Sequence, residues 1–286
     1  MPSFETPGPI SATIDLVVGR ARITANDRGE TVVEVQPNDR SNELDVKAAE
    51  QTRVEFTDGK LLVKAPKLRT LFSNKVGSVD LTVELPTGSD VRAYASLADF
   101  DTEGRLGECR FKTSLGNIGL DRTGALHAHT SSGRITVGHT TGDTEVTTHS
   151  GDVEIRGIAG RAVIKNSNGD ITIGEVTGDL RSNAANGDIS VDRALGPVTA
   201  KTANGNVRIG EVVRGSVVIE SASGDLEVGI RRGTAAWLDV KSVSGRVRNE
   251  LDTSDGPGTS DETVEVRART YAGGILIRRS TTVPAE

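Results

Sequence analysis

Aromatic residues are scarce in this chain, and their scarcity limits the kind of core it can form. Only 3% of the 286 residues are Phe, Trp or Tyr, whereas 33 are glycine. Large rings supply much of the buried surface in ordinary globular cores. We therefore expect a core of aliphatic side chains. So few rings also argue against the aromatic platform on which sugars usually bind.

Cysteine, concentrated positive charge and long apolar runs are lacking as well. A single cysteine, Cys109, allows no internal disulfide, which is typical of a reducing compartment. The net charge of −6 argues against a nucleic-acid partner, because phosphate binding needs a concentrated positive field. No stretch approaches the ~20 apolar residues of a membrane helix, and the first residues lack a secretory-signal pattern. These absences predict a cytoplasmic protein that neither binds nucleic acid nor inserts into a membrane.

What the chain does contain is a repeat of about 18 residues, which is typical of a stacked array. Each copy is a turn followed by an alternating phrase, such as Gly169-Asp170-Ile171-Thr172-Ile173. Alternation of apolar and polar residues indicates a half-buried strand. A second series of glycines half a period later opens another strand, so each repeat holds two strands and two corners. The landmark glycines are Gly116, Gly133, Gly151, Gly169, Gly187, Gly205, Gly224 and Gly245.

Two short strands per repeat predict an all-β fold, a single-stranded parallel β-solenoid that forms a right-handed β-helix. We expect about ten coils of ~18 residues, with β-rich caps at the ends. One predicted interior ladder consists of Ile118, Ile135, Val153, Ile171, Ile189, Val207, Leu226 and Val247. Its companion consists of Leu120, Val137, Ile155, Ile173, Val191, Ile209 and Val228, and the opposite sheet points Leu126, Val146, Ile164, Ala200, Ile219 and Val240 inward.

The ends of the chain depart from this period and predict its domain organisation. Residues 1–90 form a β-rich cap with lead-in strands, a short helix at 44–51 and a hairpin that turns at Asp58-Gly59. Residues 91–286 form the solenoid. Within it, the acidic segment 252–262 is a mobile loop, and strands at 263–268 and 274–278 close the stack. Trp237 is expected to pack at the end of the stack.

Three sequence features resemble a known family. They are the repeated Ser/Asn-Gly-Asp-Ile phrases, the segment VDLTVELPTGSDV at 79–91 and the segment DETVEVRART at 261–270. Together they resemble the bacterial β-strand-repeat proteins of unknown function that carry the name adhesin. The resemblance covers nearly the whole chain and implies a β-helical fold without an established catalytic motif. It also implies an association of some members with envelope stress and envelope surfaces.

Aspartates recur at equivalent corners and raise the question of a metal site. Asp152, Asp170, Asp188 and Asp225 should stack about 4.8 Å apart, where like charges repel unless a cation neutralises them. Calcium β-rolls, however, place paired glycines and an aspartate two residues before the aliphatic residue. Here the aspartate directly precedes the aliphatic residue. The favoured interpretation is that these side chains cap turn amides as Asx-turns, with calcium as the alternative.

Histidines are the other candidate ligands. His127 and His129 share a strand face, and we expect His149 to reach the neighbouring coil, so three imidazoles would hold zinc if they converged. No cysteine or carboxylate completes an obvious four-ligand set. Outward acids and bases are dispersed, and no carboxylate pair is singled out for glycoside hydrolysis. The sequence therefore predicts no catalytic residues, no metal and no cofactor.

The function that these observations favour is a non-enzymatic solenoid scaffold or protein-interaction module. Its link to envelope stress follows only from the family resemblance. We expect an unidentified protein partner and a monomer or small closed oligomer. Two alternatives stay open at this point: a polymerising β-helix of the cytoskeletal type, and a carbohydrate-active or calcium-binding β-helix.

Overall fold

The computed structural model describes residues 2–66, 76–251 and 262–281. Nearly all of the predicted acidic loop at 252–262 lies outside the described residues. The chain divides into two compact units, Met1–Thr140 and Thr141–Glu286. The border predicted at residue 90 marks the change from irregular to regular coils, not a break between compact units. That border stays a prediction.

In its described residues, the first unit contains thirteen strands and one helix. These are β1 (Ser3–Glu5), β2 (Ser11–Asp15), β3 (Val18–Asn26), β4 (Glu30–Pro37), α1 (Glu43–Gln51), β5 (Arg53–Thr57), β6 (Lys60–Lys64), β7 (Val79–Pro86), β8 (Asp90–Tyr94), β9 (Leu97–Glu103), β10 (Cys109–Leu115), β11 (Ile118–Thr123), β12 (Leu126–Ser132) and β13 (Ile135–Thr140).

Strand direction changes near the start of the first unit. β8, β10 and β12 pair in parallel, as do β9, β11 and β13, which is the pattern of stacked coils. β2 and β3 extend these rows in parallel by pairing with β8 and β9. β4 and β5 instead run antiparallel to their neighbours β7 and β6. The irregular N-terminal segment therefore adds β-structure to the regular coils, as the sequence predicts for a cap.

Two local predictions for this segment are confirmed. β5 and β6 form an antiparallel hairpin whose turn residues have positive φ, 50° at Asp58 and 71° at Gly59, as a type I′ turn requires. Helix α1 lies against β4 and β7. It begins after Asn42, whose side chain accepts the Leu44 N–H at 2.9 Å and so caps the first turn.

Cys109 lies in the core of the first unit, on the same buried side of β10 as Phe111, whose ring packs edge to face against that of Phe100. Burial raises the pKa of its thiol to about 12, more than the hydrogen bond with the Val91 backbone lowers it. The thiol is therefore a packing group and stays protonated at physiological pH.

The part of the second unit that the structure describes contains fourteen strands, which alternate between two rows. These are β14 (Thr144–Ser150), β15 (Val153–Ile158), β16 (Ala162–Asn168), β17 (Ile171–Val176), β18 (Leu180–Asn186), β19 (Ile189–Ala194), β20 (Val198–Asn204), β21 (Val207–Val212), β22 (Gly215–Ser223), β23 (Leu226–Ile230), β24 (Ala235–Ser244), β25 (Val247–Asn249), β26 (Thr263–Ala272) and β27 (Ile275–Arg279).

In the second unit, residues one repeat apart lie beside each other on neighbouring strands. Even-numbered strands from β14 to β22 pair in parallel in one row, and odd-numbered strands from β15 to β23 pair in parallel in the other. Ile171 lies beside Val153 on one side and Ile189 on the other, and all three are buried. The parallel β-solenoid is thus confirmed, and the predicted ladder residues from Val153 to Leu226 are buried. Its right-handedness stays a prediction.

The order of the last coils differs from the sequence order. β22 and β23 pair with β26 and β27, which in turn pair with β24 and β25. Ile275 therefore lies between Leu226 and Val247, and Val247 is 41% exposed rather than a core residue. The strands predicted to close the stack lie one coil inside its end. In this order the inner residues of β26 are fully buried, whereas those of β24 are only half-buried.

Corner glycines set how closely the coils stack. Gly187 has a φ of +135°, and a Cβ on it would lie 2.1 Å from the carbonyl oxygen of Gly169 in the preceding coil. No other residue type fits so close to another backbone. The recurrence of glycine every 18 residues or so is therefore a consequence of stacking.

Candidate functional site

The corner aspartates hold the coils together. Oδ1 of Asp170 accepts the backbone N–H of Asp188 at 2.9 Å, and Oδ1 of Asp188 accepts that of Asn206 at 2.7 Å. Asn206 Oδ1 accepts from Asp225, whose own Oδ1 accepts from Gly274. Each side chain thus caps the equivalent amide of the next coil. In the predicted Asx-turns, each side chain would accept an amide of its own turn. That prediction is wrong, because the amide it accepts belongs to the next coil.

The aspartates considered as calcium ligands therefore form hydrogen bonds between neighbouring coils. One oxygen of Asp152, Asp170, Asp188 and Asp225 accepts a backbone amide of the neighbouring coil. Within residues 2–66, 76–251 and 262–281, no three His, Cys, Asp or Glu side chains are grouped as a metal ion would require. Backbone amides also offset part of the repulsion between stacked carboxylates. That the protein folds without calcium stays a prediction.

We expect Asp170→Ala to lower the free energy of unfolding by about 1 kcal/mol, because the Asp188 N–H loses its acceptor. Asp170→Asn keeps an acceptor and removes a charge from the row, so it should be at least as stable as the parent chain. Urea unfolding of the three proteins, with and without a chelator, measures both effects. A midpoint that falls on chelation would contradict this interpretation and indicate a calcium site.

The structure places the three histidine candidates on two strands, β12 and β14. His127 and His129 lie on β12 of the first unit, at strand positions that face Arg110 and Lys112 on β10. His149 lies on β14 of the second unit, where its carbonyl accepts from Asn168 Nδ2 at 3.3 Å. Among the residues that the structure describes, none of the three belongs to a group of His, Cys, Asp or Glu side chains that could hold a metal ion.

A second polar ladder lies inside the coils and was not foreseen from the sequence. Thr202, Ser221 and Thr270 each donate a hydroxyl hydrogen bond of 2.9–3.2 Å to the carbonyl of a corner glycine in the neighbouring coil. These side chains are buried, so the bonds satisfy carbonyls that water does not reach. The available signal was a small polar residue three positions before seven of the eight landmark glycines, with Ala184 before Gly187 as the exception.

The repeated polar side chains are thus engaged in the stack, and the exposed apolar ones are concentrated elsewhere. Trp237 is 73% exposed, Tyr271 66% and Val243 62%, and all three lie on β24 or β26. We call the outward side of these two strands the terminal face. It consists of Trp237, Asp239, Lys241 and Val243 on β24 and Glu265, Arg267, Arg269 and Tyr271 on β26.

Alternation along the two strands places charge at the centre of the terminal face. Asp239 Oδ2 lies 3.3 Å from Arg267 Nε and 3.1 Å from Arg269 Nη2, across the pair of strands. Trp237 lies towards the start of β24, whereas Val243 lies towards its end, next to Tyr271 of β26. A charged centre therefore separates two apolar ends.

Next to Tyr271 the outer surface forms an open groove of about 790 Å³. Ala203, Ala222 and Val243 contribute apolar surface to it, and Lys201 and Glu220 form an ion pair of 2.8 Å along it. Apolar surface bordered by paired charges is typical of protein-binding surfaces, in which aromatic and Arg side chains are enriched.

Trp237 corrects a prediction. It lies in the terminal coil, as expected, but its indole points outward rather than packing against the end of the stack. The parity of the strand explains this: Leu238 and Val240 point towards the core, so Trp237 must point away. The same parity was available in the sequence, because Val240 was already assigned to the interior.

The fold defines a parallel β-solenoid repeat protein, and its most exposed apolar side chains lie on the terminal face. The chain belongs to the Toastrack DUF4097 family, whose profile matches residues 20–267. This match confirms the resemblance noted in the sequence.

Solved structures of similar proteins come from several bacteria. A candidate adhesin of Bacteroides fragilis is 11% identical, with 96% of this chain and 95% of that chain covered and a TM-score of 0.38. One of Parabacteroides distasonis is 13% identical, with the same coverage and a TM-score of 0.38. A candidate cell adhesion protein of Clostridium sporogenes is 12% identical, with 97% and 98% covered and a TM-score of 0.20. No curated protein matches this chain.

Proposed function

We propose that this protein is a non-enzymatic solenoid scaffold that binds another protein through the terminal face. The observation that supports the proposal most directly is the concentration of exposed Trp237, Tyr271 and Val243 on two neighbouring strands. Exposed aromatic residues beside an arginine pair are the usual anchors of protein interfaces. The rigid coils below hold these anchors at fixed spacings, so little order has to be gained on binding.

The non-enzymatic part of the proposal rests on where the polar groups are used. The corner carboxylates and the inner hydroxyls form hydrogen bonds between coils. On the terminal face, Arg267 and Arg269 form ion pairs with Asp239, and Arg267 also pairs with Glu265. Catalysis by acids and bases needs such groups to converge on a reacting atom.

Of the predictions about location and membrane contact, the structure bears only on the second. Among the residues that the structure covers, no helix is long and apolar enough to span a membrane. The cytoplasmic location stays a prediction from the sequence, and so does the link to envelope stress.

A photo-crosslinking amino acid placed at Tyr271 should trap a protein partner in cells that naturally make this chain. The matched control carries the same group at Leu115, which is 48% exposed on the first unit and lies outside the terminal face. The expected result is an adduct with a different protein from position 271, which is lost when Trp237→Ala is added, and no such adduct from position 115.

Two results would contradict the proposed function. Equal adducts from both positions would mean that the terminal face has no special role. Turnover of a polysaccharide by the purified chain, abolished by an acidic-residue variant, would instead support the carbohydrate-active alternative.

A further inference from the structure

Among the residues that the structure describes, strand β24 ends the second unit and has a partner strand on one edge only. Its N-terminal residue Ala235 donates its N–H to Glu262 O at 2.8 Å, on the side where β26 lies. Because successive residues of a strand direct their backbone groups to opposite sides, those of Ala236, Leu238, Val240 and Ser242 point to the other edge. The described part of the chain places no strand there.

The end of this coil also leaves apolar surface uncovered. Leu238 and Val240 point inward but are only half-buried, whereas their neighbours Val266 and Ala268 on β26 are fully buried. An edge strand with open hydrogen-bonding groups and an apolar side is a template for another strand.

The edge is complementary to itself in one antiparallel register. If two copies of β24 meet about a two-fold axis at Val240, Asp239 of each copy faces Lys241 of the other. Trp237 then faces Val243 of the other copy, beside Tyr271 on the next strand. These pairs fall at non-hydrogen-bonded positions, where facing side chains come closest.

Other registers lose this match. An axis at Asp239 places that carboxylate against its own copy, and an axis at Lys241 places two ammonium groups together. Like charges directly opposite each other are destabilising. A shift of one residue turns the apolar side of one strand to the opposite face of the sheet. Lys241 also forms no ion pair among the residues described, so the facing Asp239 offers it a partner.

We propose that the edge of β24 binds the same edge of a second copy, antiparallel about a two-fold axis at Val240. Pairs at Val240, and at Leu238 with Ser242, supply about six backbone hydrogen bonds. Because each copy uses the same edge, the contact closes at two chains and does not propagate. This dimer is independent of the proposed function, since it would form even if the terminal face bound no other protein.

Sizing by light scattering tests the stoichiometry. The mass should rise with concentration from 30.0 kDa to about twice that value and then stop. Trp237 is the single tryptophan of the chain, so its emission should shift to shorter wavelength over the same range. Filaments, or one chain mass at every concentration, would overturn the proposal.

A cysteine experiment tests the register. A Trp237→Cys chain mixed with a Val243→Cys chain should form a covalent dimer on oxidation, because the two positions face each other. Neither variant alone should do so, since two copies of position 237 lie six residues, or roughly 20 Å, apart. The native Cys109 is buried and does not compete. Equal cross-linking in the unmixed samples, or none in the mixture, would overturn this register.

A charge variant distinguishes a contact at the edge of β24 from a general effect of surface charge on association. Lys241→Glu replaces two attractive contacts per dimer by repulsive ones, and we expect dimer affinity to fall about tenfold. Lys165→Glu is the matched control, because it makes the same charge change on the outer side of the internal strand β16. Equal dimer affinity in the two variants would overturn the assigned contact.

Discussion

Replacing Ile171 by aspartate should abolish cooperative folding of the second unit. Ile171 is fully buried between Val153 and Ile189, in the middle of the aliphatic ladder. A carboxylate there would lose its hydration without gaining a partner. That cost is several kcal/mol, comparable with the whole stability of an ordinary domain. Far-UV circular dichroism during urea unfolding is the measurement.

The adjacent residue provides a control. Thr172 is exposed on the outer side of the same strand, so Thr172→Asp should change the free energy of unfolding by less than about 0.5 kcal/mol. The pair therefore tests the assignment of inside and outside with the same new charge in the same strand. Equal effects from the two substitutions would contradict that assignment.

Gly187→Ala should destabilise the stack by several kcal/mol. The new Cβ would lie 2.1 Å from the carbonyl oxygen of Gly169, which forces neighbouring coils apart at a corner. The positive φ of +135° adds backbone strain. The free energy of unfolding from urea titration should fall by more than any loss of a single corner hydrogen bond.

Gly233→Ala separates the two causes. Gly233 also has a positive φ, +84°, but a Cβ on it would meet no atom within 4 Å. We expect this variant to lose only about 1 kcal/mol, the cost of the backbone conformation. A loss at Gly187 no larger than that at Gly233 would mean that contact between coils does not explain the glycine repeat.

Much of the fold was predictable because its strongest constraints are local and repeated. Alternation in phrases such as that at Ile171 to Ile173 determines which side chains enter the core. The turn at Asp58-Gly59 and the helix at 44–51 were predictable for the same reason, since short-range backbone preferences decide them. The terminal face was missed although the parity of Trp237 was available, because an isolated tryptophan was assumed to be a packing residue.

The hydrogen-bond partners of the corner side chains were harder to predict from the sequence. An aspartate after a glycine fits both an Asx-turn and a bond to the next coil. The choice depends on how far apart the coils stack at Asp170 and Asp188, and that distance is not local information.

The sequence by itself determined the solenoid, the inside and outside of the strands in the regular coils, and the need for glycine at their corners, because the period of about 18 residues repeats the same pattern in each of them. Only the tertiary structure decided which coil lies next to which at the end of the second unit. The coils that contain Ile275 and Val247 have the same strand pattern, so either one fits beside Leu226 in register. The structure puts the coil with Ile275 in the inner position, where β26 and β27 have a partner strand on both sides. That long-range choice leaves the edge of β24 and Trp237 at the surface.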